Sequence, residues 1–160
     1  MSNTRGVLYV HSAPSALRPH IEWAVGGVFA EPVRLEWQAQ PAEPGMHRCE
    51  HAWEGAVGVG AAVVSALRGW DHLRFELTEE PTATTDGHRW MSTPSLGVFC
   101  GQVGHSGDIV VPEERLRWAM AEDDPGAALL DLMGDPWDAE LEVFRWAGEG
   151  APVRWLHRAV

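Results

Sequence analysis

Residues with chemical potential fall into three short stretches. In His47-Arg48-Cys49-Glu50-His51, three metal-binding side chains recur at every second position. On a strand such residues share one face, about 7 Å apart, with about 13 Å between the outer two. One ion would then take two neighbours at most, and a zinc site needs three or four ligands. A further ligand would have to come from another strand, with His11 as the candidate. The favoured reading is a plain strand face, so no metal is assigned.

Gly55, Gly58 and Gly60 follow that strand and open a helical stretch, a setting in which backbone N–H groups cradle phosphate. The chain has no lysine, however; all twelve of its basic residues are arginine. This excludes the lysine of a P-loop, a Schiff-base lysine and a lysine general base. The third stretch is His11-Ser12, at the end of the Gly6–Val10 apolar run, with His20 and Glu22 following on the next element. A serine beside a histidine is no triad without a third group to aim the base. Capping by Ser12 or Ser15 is the simpler use. No catalytic residue and no cofactor is assigned. If a small ligand or anion binds, the expected pocket comprises His11, Ser12, Gly55, Gly58 and Gly60.

The elements that would position these residues are legible in the hydrophobic pattern. Gly6–His11 reads as the central strand of an antiparallel sheet, turning at Ser12–Ser15 into a helix over Ser15–Ala30, with Pro19 in its first turn. Val33–Gln38 alternates strictly and forms a hairpin with Met46–Glu54 across Pro41–Gly45. A helix of small residues over Ala61–Arg68 stops at Gly69, and Leu73–Leu77 alternates again. Strand, helix, strand, strand, helix, strand is the ferredoxin-like order, giving an α+β fold with its antiparallel sheet over about residues 6–79. Val33, Leu35, Trp37, Leu73, Phe75 and Leu77 are expected to face the helices. Arg34, Glu36, Arg48, Glu50, Arg74 and Glu76 are expected on a solvated opposite face, paired across strands.

Residues 81–160 read as an elaboration packed on that core, within a single domain of 1–160. His88–Met91 and Leu96–Gln102 suggest a hairpin, and Asp108–Val111 a further strand. Proline at the first helical position marks three helices, beginning at Val111-Pro112, Asp124-Pro125 and Asp135-Pro136, with aspartate as N-cap in the last two. Pro152–His157 suggests a last strand or a docked tail.

The 160 residues carry a net charge of -11, which disfavours non-specific nucleic-acid binding and acidic membrane surfaces. No apolar run approaches the roughly 20 residues that span a bilayer, so a cytoplasmic protein is expected. Cys49 and Cys100 are expected as buried thiols rather than a disulfide. Of nine tryptophans, Trp23, Trp37, Trp53 and Trp118 fit core faces. Trp70, Trp90, Trp137, Trp146 and Trp155 lie near element ends, and exposed tryptophan is enriched at interfaces. Trp137, Trp146 and Trp155 are therefore the candidate interaction surface.

Arg5–Pro14, Trp53-Glu-Gly55, Ser65–Trp70, Arg89-Trp-Met91, Val111–Glu114, Ala147–Gly150 and Val153–His157, taken in order, resemble an actinobacterial family known only as a domain of unknown function, DUF3145. The resemblance implies no activity, cofactor or catalytic residue. It implies at most an accessory link to fatty-acid synthesis. The expected function is thus a non-catalytic accessory protein that binds a protein partner, such as an enzyme of acyl-chain metabolism. The alternative is a small-ligand sensor or minor enzyme, and a homodimer joined through the sheet face is a third class.

Overall fold

The computed structural model describes residues 2–146. Its element order is β1 (Asn3–Pro14), a 3-10 turn (Ser15–Leu17), α1 (Arg18–Phe29), β2 (Gln38–Ala39), β3 (Met46–Ala56), α2 (Val59–Leu67), β4 (Arg74–Glu79), β5 (Gly87–Thr93), β6 (Gly97–Val103), β7 (Ile109–Val110), α3 (Glu113–Met120), α4 (Pro125–Met133) and α5 (Asp135–Arg145). All seven strands join one sheet in the order β2-β3-β1-β4-β5-β6-β7, every pair antiparallel. The second half of the chain continues the sheet outward from β4.

Alternation along β1 sends Leu8 and Val10 to the face covered by α1 and α2. There they meet Ile21, Val25, Val63, Leu67, Phe75 and Leu77 in the main core. Val7 and Tyr9 point to the other face. On that second face Met91 and Phe99 pack against Leu141 and Trp137 of α5. The expected solvated charged face is therefore wrong at its centre: Glu76 is fully buried, whereas Glu50 lies in solvent. Alternation identified the face, but it carries no information about a helix arriving seventy residues later.

The expected strand over Val33–Gln38 shrinks to Gln38–Ala39, paired with His47 and Arg48. Leu35 is nonetheless buried, with Val33 and Trp37 packed beside it. The Glu22 carboxylate of α1 accepts the Leu35 N–H at 2.9 Å and the Trp37 indole N–H at 3.2 Å, so this stretch is satisfied by a helix rather than by a ladder.

Asp124 caps α4 as expected, accepting the Ala127 N–H at 3.0 Å. Asp135 does not cap α5. Gly134, at φ 82°, both ends α4 and precedes α5, leaving Asp135 as the first helical residue. A Cβ on Gly134 would lie 2.5 Å from Met91 and 3.0 Å from Phe99, so the corner is seated directly on the sheet.

The tryptophan and cysteine expectations also need correction. Trp53 is buried and Trp37 half-buried, but Trp23 is 80% and Trp118 59% exposed. Ile21 and Val25 take the inner side of α1 and leave Trp23 outside. Cys49 is buried, but Cys100 is exposed. Three strands separate β3 from β6, about 19 Å at the usual strand spacing, far beyond disulfide reach.

Candidate functional site

The most unusual chemistry follows from one extra residue in β1. Its register with β3 runs from Val10↔Cys49 to Ala13↔His47, and with β4 from Val10↔Phe75 to Ser12↔Arg74. Against both neighbours β1 is one residue too long, which makes a β-bulge, a device that re-aims side chains. Val10 and Ala13 both stay in the helix-side core, so His11 and Ser12 turn together to the α5 face. His11 continues the stack begun by Tyr9, with ring centroids 6.2 Å apart and planes within 7°.

There the His11 Nε2 meets the carboxylate of Glu76. The same carboxylate receives Arg145 of α5, through Nε at 3.0 Å and through Nη2. Arg145 Nη2 also donates to Asp138, two helical turns back, at 2.8 Å, and Arg89 donates to Asp138 at 3.4 Å. Gln40 closes the cluster from β1's other side, donating from one amide nitrogen to the His11 carbonyl at 2.7 Å and the Phe144 carbonyl at 3.3 Å. Glu43 accepts from Ser12 at 2.7 Å and from Arg74 at 3.0 Å, and the Arg74 guanidinium lies 4.6 Å over the Phe144 ring.

Burial by itself would raise the Glu76 pKa, but the hydrogen bonds and charges of His11 and Arg145 outweigh it and hold the carboxyl below its usual range. Burial likewise favours the neutral form of Arg145, and Glu76 with Asp138 overrides it and fixes the positive charge. A histidine aligned by a carboxylate is half of a general-base arrangement. A base must also reach its substrate. His11 is 1% and Glu76 0% exposed, and the neighbouring Ser12 hydroxyl is committed to Glu43. The cluster is an internal clamp that seats α5.

Of the pocket expected from His11, Ser12, Gly55, Gly58 and Gly60, the two halves lie apart. Gly55 pairs with Thr4, and His11 is seven residues further along β1, roughly 23 Å away. The turn after β3 does present its amides as a cradle, but a protein carboxylate fills it. Glu79 accepts from the Gly58 N–H at 2.6 Å and the Gly60 N–H at 2.9 Å. Gly58 sits at φ 92°, and a Cβ on Gly60 would lie 2.7 Å from Glu79 and 2.8 Å from Trp90. Gly60 thus permits the close seating of α2 over β4 and β5, whereas Gly58 supplies the left-handed turn that precedes the helix.

Among the described residues no group of three histidine, cysteine or acidic side chains is placed to hold a metal ion. Cys49 is directed into the helix-side core and His11 to the opposite face, so His11 does not complete the strand's ligand set. Burial pushes the Cys49 thiol up to about 12 and lowers the His51 pKa. Two clefts of about 340 and 370 Å³ open elsewhere, one beside Arg5 and Glu54, the other between Val7, Thr78, Arg89 and His105.

The three candidate interface tryptophans divide. Trp137 is half-buried, donates to the Gly97 carbonyl at 3.1 Å and packs on Phe99. Trp146 is half in solvent, and Trp155 lies outside the described residues. The larger apolar exposure is on α3, where only Ala119 is buried while Leu116, Trp118 and Met120 stand 37%, 59% and 69% exposed.

The family model described as a protein of unknown function, DUF3145, matches residues 7–158. The chain belongs to the DUF3145 family. The match spans β1 through α5, so the bulge, the clamp and α3 all fall within the DUF3145 region. No curated protein and no solved structure matches the chain. Among the described residues of this DUF3145 member, no helix is long and apolar enough to cross a membrane.

Sequence reasoning missed Glu76, Arg145, Asp138 and Glu79. For Arg145 and Asp138 a signal was present: they lie seven residues apart with Leu141 between them, on the stripe that α5 buries. The exposure of α3 had its signal too, since Glu113-Glu-Arg-Leu-Arg-Trp118 offers no coherent apolar stripe for a core.

Proposed function

We propose that this chain is a non-catalytic accessory protein that works by holding a protein partner against the elaboration built on its first four strands. The observation that carries this reading is α3, a helix of eight residues with a single buried side chain and with its leucine, tryptophan and methionine in solvent. Three large apolar side chains left in solvent on one two-turn helix mark an interaction site rather than any chemistry. The closed state of the His11–Glu76–Arg145 cluster supports the same reading, because the residues best suited to proton transfer are sealed from substrate.

The order β2-β3-β1-β4, with α1 and α2 packed on one face, supports a ferredoxin-like unit extended by β5–β7 and α3–α5. We place the protein in the cytoplasm of an actinobacterial host. An enzyme of fatty-acid synthesis is the first partner to examine, an expectation that rests on the family resemblance alone.

Capture of the tagged protein from its host, followed by mass spectrometry, tests the reading. A near-stoichiometric enzyme, lost when Trp118→Ala and Met120→Ala are introduced into a chain that still folds, is the expected result. Retention of the partner by that variant would remove α3 from the interface.

A further inference from the structure

α3 does not present one apolar face. Leu116 and Met120 are one turn apart on one flank, and Trp118 lies roughly 160° around the axis from both. Of the α3 side chains only Ala119 is buried, packed with Ala128, Leu132 and Val111. A partner that covers both flanks must therefore embrace the helix as a groove does, not lie against it as a flat surface does.

Charge narrows the occupant. Glu113, Glu114, Glu122, Asp123, Asp124 and Asp131 lie on α3, on α4 and in the turn between them, and all six are exposed. The only cations on the same two helices are Arg115 and Arg117, and Arg117 is already paired with Glu113. With a net charge of -11 on the whole chain, a second copy would be repelled. We propose that the partner of α3 is a protein groove with an apolar floor and a rim of lysine and arginine, into which Trp118 and Met120 insert as anchors. This rests on the accessory-protein reading and adds the chemistry of the partner to it.

The test uses the full chain, isotopically labelled, and two defined probes: a Leu/Lys helical-hairpin peptide whose two helices form a groove with a leucine floor and a lysine rim, and its Leu/Glu counterpart. The Leu/Lys peptide is expected to shift amide resonances within residues 113–131 saturably, with an affinity that falls as salt rises from low to physiological strength. Met120→Ser together with Trp118→Ser, both surface changes, should weaken that binding by roughly tenfold or more. Glu122→Gln with Asp123→Asn should flatten the salt dependence.

Equal binding of the Leu/Glu peptide, or an affinity indifferent to salt, would overturn the basic rim and leave α3 as a docking helix. Shifts confined to other surfaces, such as the Glu50 and Glu54 side of the sheet, or no shifts at millimolar peptide, would overturn the groove proposal. The capture experiment is independent of peptide chemistry. Capture of no partner by the natural, folded chain would overturn the accessory-protein reading itself, whereas retention of a partner by the α3 variant would overturn the groove proposal alone.

Discussion

Arg145, in the last turn of α5, donates two hydrogen bonds to the Glu76 carboxylate on β4, sixty-nine residues earlier in the chain. Both side chains are buried, and His11 shares the same carboxylate. Removing one member of such a pair strands the other charge in the interior, at a cost of about 3–5 kcal/mol. Urea unfolding of Arg145→Met and of Glu76→Gln should each show a loss of that order. The double variant Glu76→Leu with Arg145→Met should be less destabilised than the sum of the singles. Single-variant losses under about 1 kcal/mol would mean that the clamp is solvated.

Acid should release the same clamp. The folded Glu76 carboxyl titrates below its unfolded value of 4.5, so the unfolded chain binds the proton more readily. The stability this group contributes is present above pH 4.5 and is lost as pH falls through the folded value. Urea midpoints measured downward from pH 6 should therefore drop more steeply in the natural chain than in Glu76→Gln. Parallel slopes would assign acid sensitivity to other carboxylates.

Glu79 holds the N-terminus of α2 through the Gly58 and Gly60 amides. Glu79→Ala leaves two donors unsatisfied and should cost about 1–3 kcal/mol. It also vacates an anion-shaped cradle. Inorganic phosphate should raise the melting temperature of Glu79→Ala more than that of the natural chain, and an identical response in both would show that the emptied turn does not hold an anion.

The two thiols should react at very different rates. Cys100 is exposed on β6, whereas Cys49 is buried, with its thiol pushed up to about 12. Under native conditions at mildly alkaline pH, iodoacetamide should alkylate Cys100 first and Cys49 only in denaturant. Equal labelling of both would mean that β3 opens far more readily than its long ladder with β1 implies.

How far the sequence was legible depended on the range of the interaction. The Gly6–His11 apolar run, the helical spacing after Ser15, the Met46 strand after its turn and the alternating Leu73 strand were all legible in local pattern, and each is present. The Asp124 cap was readable because cap and helix are adjacent. Val33–Gln38 alternated as a strand should, yet a carboxylate on α1 took its donors. Glu76 alternated outward as a surface residue should, yet α5 covers it. In both cases a distant element, invisible to any local window, decided the outcome. For the candidate site the sequence marked His11 and Gly58 as special residues. It did not reveal that each is answered from within, by Glu76 and by Glu79.

The bridge that Gln40 makes between the His11 and Phe144 carbonyls also bears on the order of assembly. Its second bond spans 104 residues, a long closure that entropy resists until the intervening strands are paired. The seat for α5 exists only once β1, β4 and β5 lie side by side, so its docking belongs to the late part of folding. Loosening that seat should then hasten unfolding while leaving the refolding rate nearly unchanged. The kinetic lifetime of the native state is then expected to depend on how firmly α5 is seated.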